Sequence, residues 1–365
     1  MQRHATQDPA FCPSRGVDVV SPAPRDLWRD ALFADPGALL SHTPEWLDTI
    51  CAVDGWTDAS RLYVWPSGRH LILPMVGKSI GKFAAIEDSL PNGWGFGGLV
   101  GGGTVTPDEA AAVYADLASR RLFHLRVCPN SLQGTAWAQA IALGARRAVM
   151  IPRRAHAVDL DGGADAIWKR FSENARRGVR KAEKQEVEVE CDTTGRLLGV
   201  FDELWLLSVQ RWAAQQGEPV WLARLRGRRL NPPNRWRQIA ERTVGGIAIW
   251  VARHRGEPVA AIVVLRGRND HYTRGAMHKE LAGPSRANFL LHWLAIQDAC
   301  RRGAHWYQMG QSGWGGDQVS RFKENFGARA YEFPEFRLER FPITRLSHIA
   351  RAAVKRVIGM PSCFI

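Results

Sequence analysis

The chain has 365 residues, 45% of them hydrophobic, with fifteen tryptophans; this excludes a disordered chain and leaves room for about two or three domains. A formal charge of +13 and a pI near 10.0 point to an anionic partner such as nucleic acid, a phosphorylated cofactor or an anionic membrane surface. The six cysteines stand far apart with no C-x-x-C pair, which excludes a cysteine zinc site and a disulfide framework and makes a reducing cytoplasm the expected compartment.

Met1 to Val20 is polar, without the apolar core of a secretory signal. No run approaches the roughly 18 apolar residues of a membrane span, so a cytoplasmic or membrane-peripheral protein is expected. Residues 1–25 carry Pro9, Pro13, Pro22 and Pro24 and read as a loose lead-in. A helix is expected around Pro44 to Val53. Arg61 to Trp65, a turn at Pro66-Ser-Gly68, and His70 to Val76 read as a hairpin. The glycine-rich run Gly93 to Gly103 follows, then a helix from Thr106 to Ser119 with Thr106 as N-cap and Pro107 at its first position. Leu122 to Val127 reads as a short strand.

The second half follows the same order. Ala164 to Gln185 and Arg196 to Gln215 read as helices. Ile247 to Arg253, a turn at His254-Arg-Gly256, and Pro258 to Leu265 form a second hairpin. His271 to Ala276 is a strand, Ser285 to Arg302 an amphipathic helix, and Ala304 to Met309 a returning strand. Setting Gly68 on Gly256 superposes the two hairpins and suggests a duplicated α/β domain rather than one large sheet. The expected units are 1–155, 156–343 and a basic amphipathic tail, 344–365, which would pack on the body or touch a membrane surface.

Arg176, Arg180 and Lys184 share one helical face, with Arg177 and Lys181 beside them. This cationic ridge could hold phosphates by charge-assisted hydrogen bonds, and a solvated helix face would look the same. The glycine run is not a P-loop, because Ile72 stands where Gly77-Lys-Ser79 would need its first glycine. His278 and Glu280 have no third metal ligand at a recognisable spacing, and His254, His271 and His292 are isolated. The junction Lys279 to Asn288, between strand and helix, would present free backbone N–H groups to a pyrophosphate or carboxylate, with Arg286 adding charge; an ordinary helix capped by Ser285 is the alternative. Gly310 to Gly316 is too glycine-rich for regular structure. Val319 to Gly327 then reads as a short helix, where Lys323 could anchor an anion or stabilise an oxyanion.

Three motifs in order carry a resemblance. They are Arg176, Val179 and Arg180-Lys-Ala-Glu-Lys184; Asn288-Phe-Leu-Leu-His-Trp with Ile296 and Ala299; and Phe322-Lys323-Glu-Asn-Phe-Gly327. Over about residues 160–335 the chain resembles the FemAB-like branch of the GNAT acyltransferase superfamily, which includes Fem-type peptidoglycan bridge-forming aminoacyltransferases. The resemblance implies an α/β (α+β) fold of tandem GNAT-like domains, each a mixed, mostly antiparallel sheet flanked by helices. It implies an N-acyltransferase without metal or covalent intermediate, moving an acyl or aminoacyl group to an amine of a cell-envelope, peptidoglycan or exopolysaccharide-related acceptor. Lys323, Tyr272 and Tyr307 are the candidate catalytic residues; either tyrosine could equally be a core aromatic with a polar tip. Arg176, Arg180, Lys181, Arg286, Asn288 and Phe322 are the candidate substrate- and donor-binding residues.

No bound cofactor is expected. Acyl-CoA is the favoured donor, with aminoacyl-tRNA and acyl carrier left open because Gly283-Pro-Ser-Arg-Ala-Asn288 departs from the usual pyrophosphate loop. A small-molecule or nucleotide-linked envelope precursor is the expected partner, with tRNA and membrane contact through the tail left open. Tyr307-Gln-Met-Gly310 lacks the carboxylate that relatives often carry after the tyrosine, which removes a candidate base. The competing reading is a non-catalytic GNAT-derived module that binds a polyanion, nucleic acid or anionic membrane.

Overall fold

The computed structural model describes residues 16–80, 84–144, 148–230, 232–312, 318–347 and 349–350. Most of the expected tail and residues 313–316 of the second glycine loop lie outside these. In chain order the first half holds β1 (Asp18–Val20), α1 (Arg25–Ala34), α2 (Pro44–Asp54), β2 (Thr57–Asp58), β3 (Arg61–Val64), β4 (His70–Leu73), β5 (Val76–Ile80), β6 (Ala84–Asp88), α3 (Pro107–Ser119), β7 (His124–Val127) and α4 (Gly134–Leu143). There follow β8 (Val149–Asp159), α5 (Gly163–Arg170), α6 (Glu173–Lys184), β9 (Glu188–Asp192), α7 (Leu198–Gln216), α8 (Val220–Leu230), α9 (Pro233–Arg242), β10 (Ile247–His254), β11 (Glu257–Leu265), β12 (Asp270–Met277), α10 (Lys279–Ser285), α11 (Ala287–Arg301), β13 (Trp306–Ser312), α12 (Gln318–Glu324) and β14 (Arg329–Glu339).

Local chemistry sets several boundaries. The Thr106 side chain accepts from Glu109 N at 3.2 Å while Glu109 accepts from Thr106 N at 2.8 Å, a reciprocal cap that fixes the start of α3. The turn between β10 and β11 has φ +56° at Arg255 and +83° at Gly256, the twist that suits a two-residue hairpin. The strand expected to run from His70 to Val76 breaks at Pro74: β4 stays in a small sheet ordered β1-β3-β4, and Val76 opens β5 in the main sheet. The single helix expected over 164–185 is two. Phe171 turns into the core, and the Ser172 hydroxyl accepts from Ala175 N at 3.1 Å to start α6 afresh.

The main sheet has eleven strands in the order β2-β5-β6-β7-β14-β8-β13-β12-β11-β10-β9. The fold is α/β with helices flanking this mixed sheet, and the two halves of the chain share the sheet instead of holding separate ones. Its centre is the pair β8 and β14, two strands the sequence reading leaves out. Each carries a proline, and Pro152 and Pro334 face one another in the register. A pair with no N–H to exchange is a non-hydrogen-bonded pair, so neither proline breaks the ladder between the two strands. The outer neighbours pair elsewhere: β13 meets β8 from Arg154 onward, and β7 meets β14 from Phe336 onward. The expected boundary at 155/156 falls inside β8.

Both faces are covered. Along β10, Ala248, Trp250 and Ala252 pack under α5, α6 and α11, while Ile247, Ile249 and Val251 join a core that includes Trp28, Trp46 and Leu47 of the first half and Phe201 of α7. Period-2 alternation with two apolar sets is what a strand buried on both faces requires.

Candidate active site

β12 and β13 lie side by side and parallel, but pair only at Asp270–Tyr307 and His271–Gln308. Irregularities in both strands then carry them apart. β12 bulges at Thr273 against β11, and β13 bulges at Met309 and Gly310 against β8, with Gly310 at φ +71°. A cleft of about 470 Å³ opens where they diverge. Its walls are Tyr272 to Gly275 and Met309 to Gln311, with Phe322 and Lys323 of α12 at one side and Trp205 and Trp212 of α7 at another. The first half supplies the remaining wall, through Gly93, Gly95, Phe96 and Cys128. Gly95 is required there: its φ is +99°, and a Cβ would come within 2.9 Å of Ser41 Cβ.

The cleft is cationic. The buried Lys323 donates from Nζ to the carbonyls of Gly310 at 2.9 Å and Gln311 at 2.7 Å. Arg274 donates to the carbonyl of its neighbour Thr273 at 2.9 Å and has no acidic partner among the described residues. Burial and the Arg235 guanidinium push Arg274 below the usual arginine range. The lining carboxylate Glu335, 1% exposed, is shared by Arg153 at 2.8 Å, Arg337 at 2.6 Å and Arg126 at 3.7 Å. Burial alone would raise the Glu335 carboxyl, but these guanidiniums hold it below the ordinary glutamate value. The cluster keeps a surplus of positive charge that an anionic ligand would neutralise.

Three groups in the cleft are held neutral. Burial pushes the Tyr272 phenol up to about 12, so it can donate a proton. Burial pulls His271 down to about 3, helped by Arg274, Lys323 and His42. Its Nδ1 is buried without a hydrogen-bond partner, and its ring stacks on Phe96 at 4.9 Å. Burial also pushes the Cys128 thiol up to about 12, the opposite of what a nucleophilic cysteine needs. The Tyr272 hydroxyl lies along β12 over Gly275, where a Cβ would sit 2.3 Å from it.

Of the residues expected from sequence, Lys323, Tyr272 and Phe322 meet in this cleft. Tyr307 does not: it is fully buried in the core, its hydroxyl 3.4 Å from His292 Nδ1, and the His292 ring stands between it and Tyr272. Gln308, at the place of the missing carboxylate, faces the first half, within 3.3 Å of the Ser131 hydroxyl and 3.4 Å of Asn130 Oδ1. Arg176 braces the break before α6 by donating to the carbonyls of Lys169 and Phe171. Arg180 and Lys181 are exposed, with the Arg180 guanidinium 5.9 Å from the Trp168 ring. The expected loop at 279–288 is the short helix α10 followed by Arg286 at φ +56°. Ser285 is not the N-cap of α11; its hydroxyl bonds back to the carbonyls of Leu281 and Ala282. Arg286 is exposed over Phe289 at 5.8 Å, and Asn288 donates to Met277 Sδ at 3.0 Å. Gly178 of α6 packs on the same Phe289, so the ridge and the start of α11 border one edge, outside the cleft. Sequence reasoning missed His271, Arg274, Trp205 and Trp212. An arginine in the middle of the strand expected from His271 to Ala276 was the available signal for Arg274.

Residues 169–324, which include both parted strands, match the Acetyltransferase (GNAT) domain family. Across solved structures the chain is similar to FemX, at 14% identity and TM-score 0.65, covering 90% of this chain and 99% of that one. It also matches the C-terminal domain (DUF2156) of a putative lysylphosphatidylglycerol synthetase from Agrobacterium fabrum, at 13% identity and TM-score 0.46 over 90% and 95% of the two chains. A tandem GNAT protein from the clavulanic acid biosynthesis pathway is 15% identical, with TM-score 0.44 over 88% and 97%. No curated protein sequence matches the chain. Residues 169–324 thus carry the match to a GNAT acetyltransferase domain, and over nearly its whole length the chain has a fold like that of FemX.

Proposed function

We propose that the protein is an N-acyltransferase that takes an acyl group from a thioester, with acyl-CoA the favoured donor, to an amine on an anionic acceptor. The parting of β12 and β13 carries this reading, because it leaves backbone groups unpaired for the amides of an extended donor. The amine nitrogen attacks the thioester carbonyl and the C–S bond breaks; the leaving sulfur takes a proton from the Tyr272 phenol, and the proton that the acylated nitrogen loses returns through water to the Tyr272 oxygen. The Lys323 ammonium supports the charge that develops on the carbonyl oxygen. The unpartnered Nδ1 of His271 accepts a hydrogen bond from the incoming amine and orients it. Arg274 meets the acceptor's negative charge, which suits a nucleotide-linked envelope precursor.

Thermal unfolding with acyl-CoAs from acetyl to long chain tests the donor. A ligand at about 100 times its dissociation constant stabilises by roughly 2.7 kcal/mol, and a shift that depends on chain length is expected. No shift with any acyl-CoA, alongside turnover from aminoacyl-tRNA or acyl carrier, would change the donor. No turnover from any of them, with salt-dependent polyanion binding, would replace the enzyme reading with the binding module.

A further inference from the structure

α8 has the sequence Val220-Trp-Leu-Ala-Arg-Leu-Arg-Gly-Arg-Arg-Leu230. Ala223 and Gly227, four apart, face α7; Ala223 packs with Val209 and Ala213, and a Cβ on Gly227 would lie 3.0 Å from Val209. At 100° per residue the opposite pole falls on Trp221 and Leu225, with Arg224 and Arg228 on one flank and Arg229 on the other. Trp221 is 69% and Leu225 62% exposed, and Val220 at the start of α8 and Leu207 of α7 are exposed as well. Arg226, outside this pole, pairs with the buried Glu218 at 2.6 Å. Arg224, Arg228 and Arg229 have no acidic partner among the described residues.

We infer that this face of α8 docks on an anionic lipid bilayer. A tryptophan and a leucine on the outward pole, fringed by arginines on both sides, match the two demands of a headgroup interface: an apolar wedge to insert and a cationic collar for lipid phosphates. A second copy of the chain fits worse. A two-fold contact would set the arginine fringes against each other, and this pole is far smaller than the roughly 800 Å² per partner that a stable dimer buries. A nucleic acid would use the arginines and leave Leu225 and Val220 in water. Trp205 and Trp212 of α7 line the cleft and also pack in the cluster that seats α8. Docking therefore holds the cleft within about one helix diameter, on the order of 10 Å, of the headgroups.

The test is flotation of the full chain with phosphatidylglycerol-containing vesicles and with phosphatidylcholine vesicles at 0.15 M salt. Binding to the anionic vesicles is expected, falling at least tenfold in the double variant Trp221→Ala, Leu225→Ala. It should fall on the order of a hundredfold in the triple variant Arg224→Gln, Arg228→Gln, Arg229→Gln. None of these residues lines the cleft, so turnover of soluble substrates and the unfolding temperature should stay at the parent values. Equal flotation of parent and double variant would overturn the inference, as would absent binding of the parent. Loss of binding on removal of residues 351–365 with the α8 variants still bound would move the surface to the tail and overturn it too. Concentration-dependent dimerisation abolished by Trp221→Ala, without vesicle binding, would make the face a self-interface instead. The acyl-CoA experiments do not depend on this outcome.

Discussion

Gly275→Ala should disable the cleft by moving one oxygen atom. The new Cβ would sit 2.3 Å from the Tyr272 hydroxyl oxygen, 3.3 Å from Cζ and 3.4 Å from Cε2. The ring cannot simply withdraw, because its edge meets the His292 ring at 4.6 Å between centroids. Separation must grow by about 1 Å, and overpacking of this kind costs about 1–3 kcal/mol. Gly275 is not among the positive-φ residues, so alanine has no backbone penalty there and would otherwise stabilise by about 0.4–1 kcal/mol through the unfolded chain. Removing the hydroxyl with Tyr272→Phe leaves 3.3 Å as the closest contact, which a few tenths of an ångström relieve. A urea-unfolding cycle over the four proteins should give a coupling of at least about 1 kcal/mol, with Gly275→Ala costly beside tyrosine and near neutral beside phenylalanine. Turnover should fall by about 10²-fold or more in Tyr272→Phe, the scale of a lost general acid, and comparably in Gly275→Ala. An equal stability cost of Gly275→Ala in both backgrounds would refute the collision with the hydroxyl.

Arg274→Gln should raise the acceptor KM at least tenfold with kcat retained, while stability holds or rises by up to about 1 kcal/mol, since a half-buried cation without an acidic partner is removed; a fall in kcat with KM unchanged would argue against anion recognition. Lys323→Met should abolish turnover and destabilise by about 1–3 kcal/mol in chemical denaturation, because the carbonyls of Gly310 and Gln311 lose their donor. Burial holds His42 at about 4 and His271 and His292 at about 3. The unfolded chain takes these protons near pH 6.5 and the fold does not, so stability falls as pH drops from 6.5 towards 4, by about 1–2 kcal/mol per histidine at pH 5; unfolding curves at pH 7 and 5 that coincide would contradict this. Residues 156–365 expressed alone should show no cooperative unfolding by circular dichroism, because Trp28, Trp46 and Leu47 of the first half complete the core on Ile247, Ile249 and Val251.

Elements with local signatures were readable. Thr106-Pro107 with Glu109 announces α3, and the alternation around Arg255-Gly256 announces a hairpin whose geometry the structure repeats. Lys323 was reachable through a motif, and Tyr272 through the strand expected from His271 to Ala276. What escaped depended on partners distant in sequence. β8 and β14 each contain a proline, an argument against a central strand until the two are seen to face one another across nearly 180 residues. His271 gave no signal, because its place in the cleft comes from Phe96 and from a bulge two residues away. Tyr307 looked equivalent to Tyr272, yet it precedes the bulge in β13 and stays in the paired, buried part of the strand. The ridge on α6 was legible as charge, while its position outside the cleft follows from how α6 seats Gly178 on Phe289.

A pair of parallel strands that parts midway is unstable by itself, since its unpaired N–H and C=O groups would gain by zipping shut. Two features oppose closure here. On its other side β13 is tied to β8 from Asp159 to Arg154, and β8 is in turn held by β14, whose far side pairs with β7 of the first half. Gln308 adds contacts to Asn130 and Ser131 at the point where the parting begins. Lys323 then braces the parted strand by donating to the carbonyls of Gly310 and Gln311. The ammonium to which the proposed reaction assigns the carbonyl oxygen therefore also holds one lip of the slot in place. The first half, though it carries none of the residues assigned a chemical step, anchors the strand that forms one lip. The slot is a property of the shared sheet, and this explains why the second half alone would keep the motifs and lose the site.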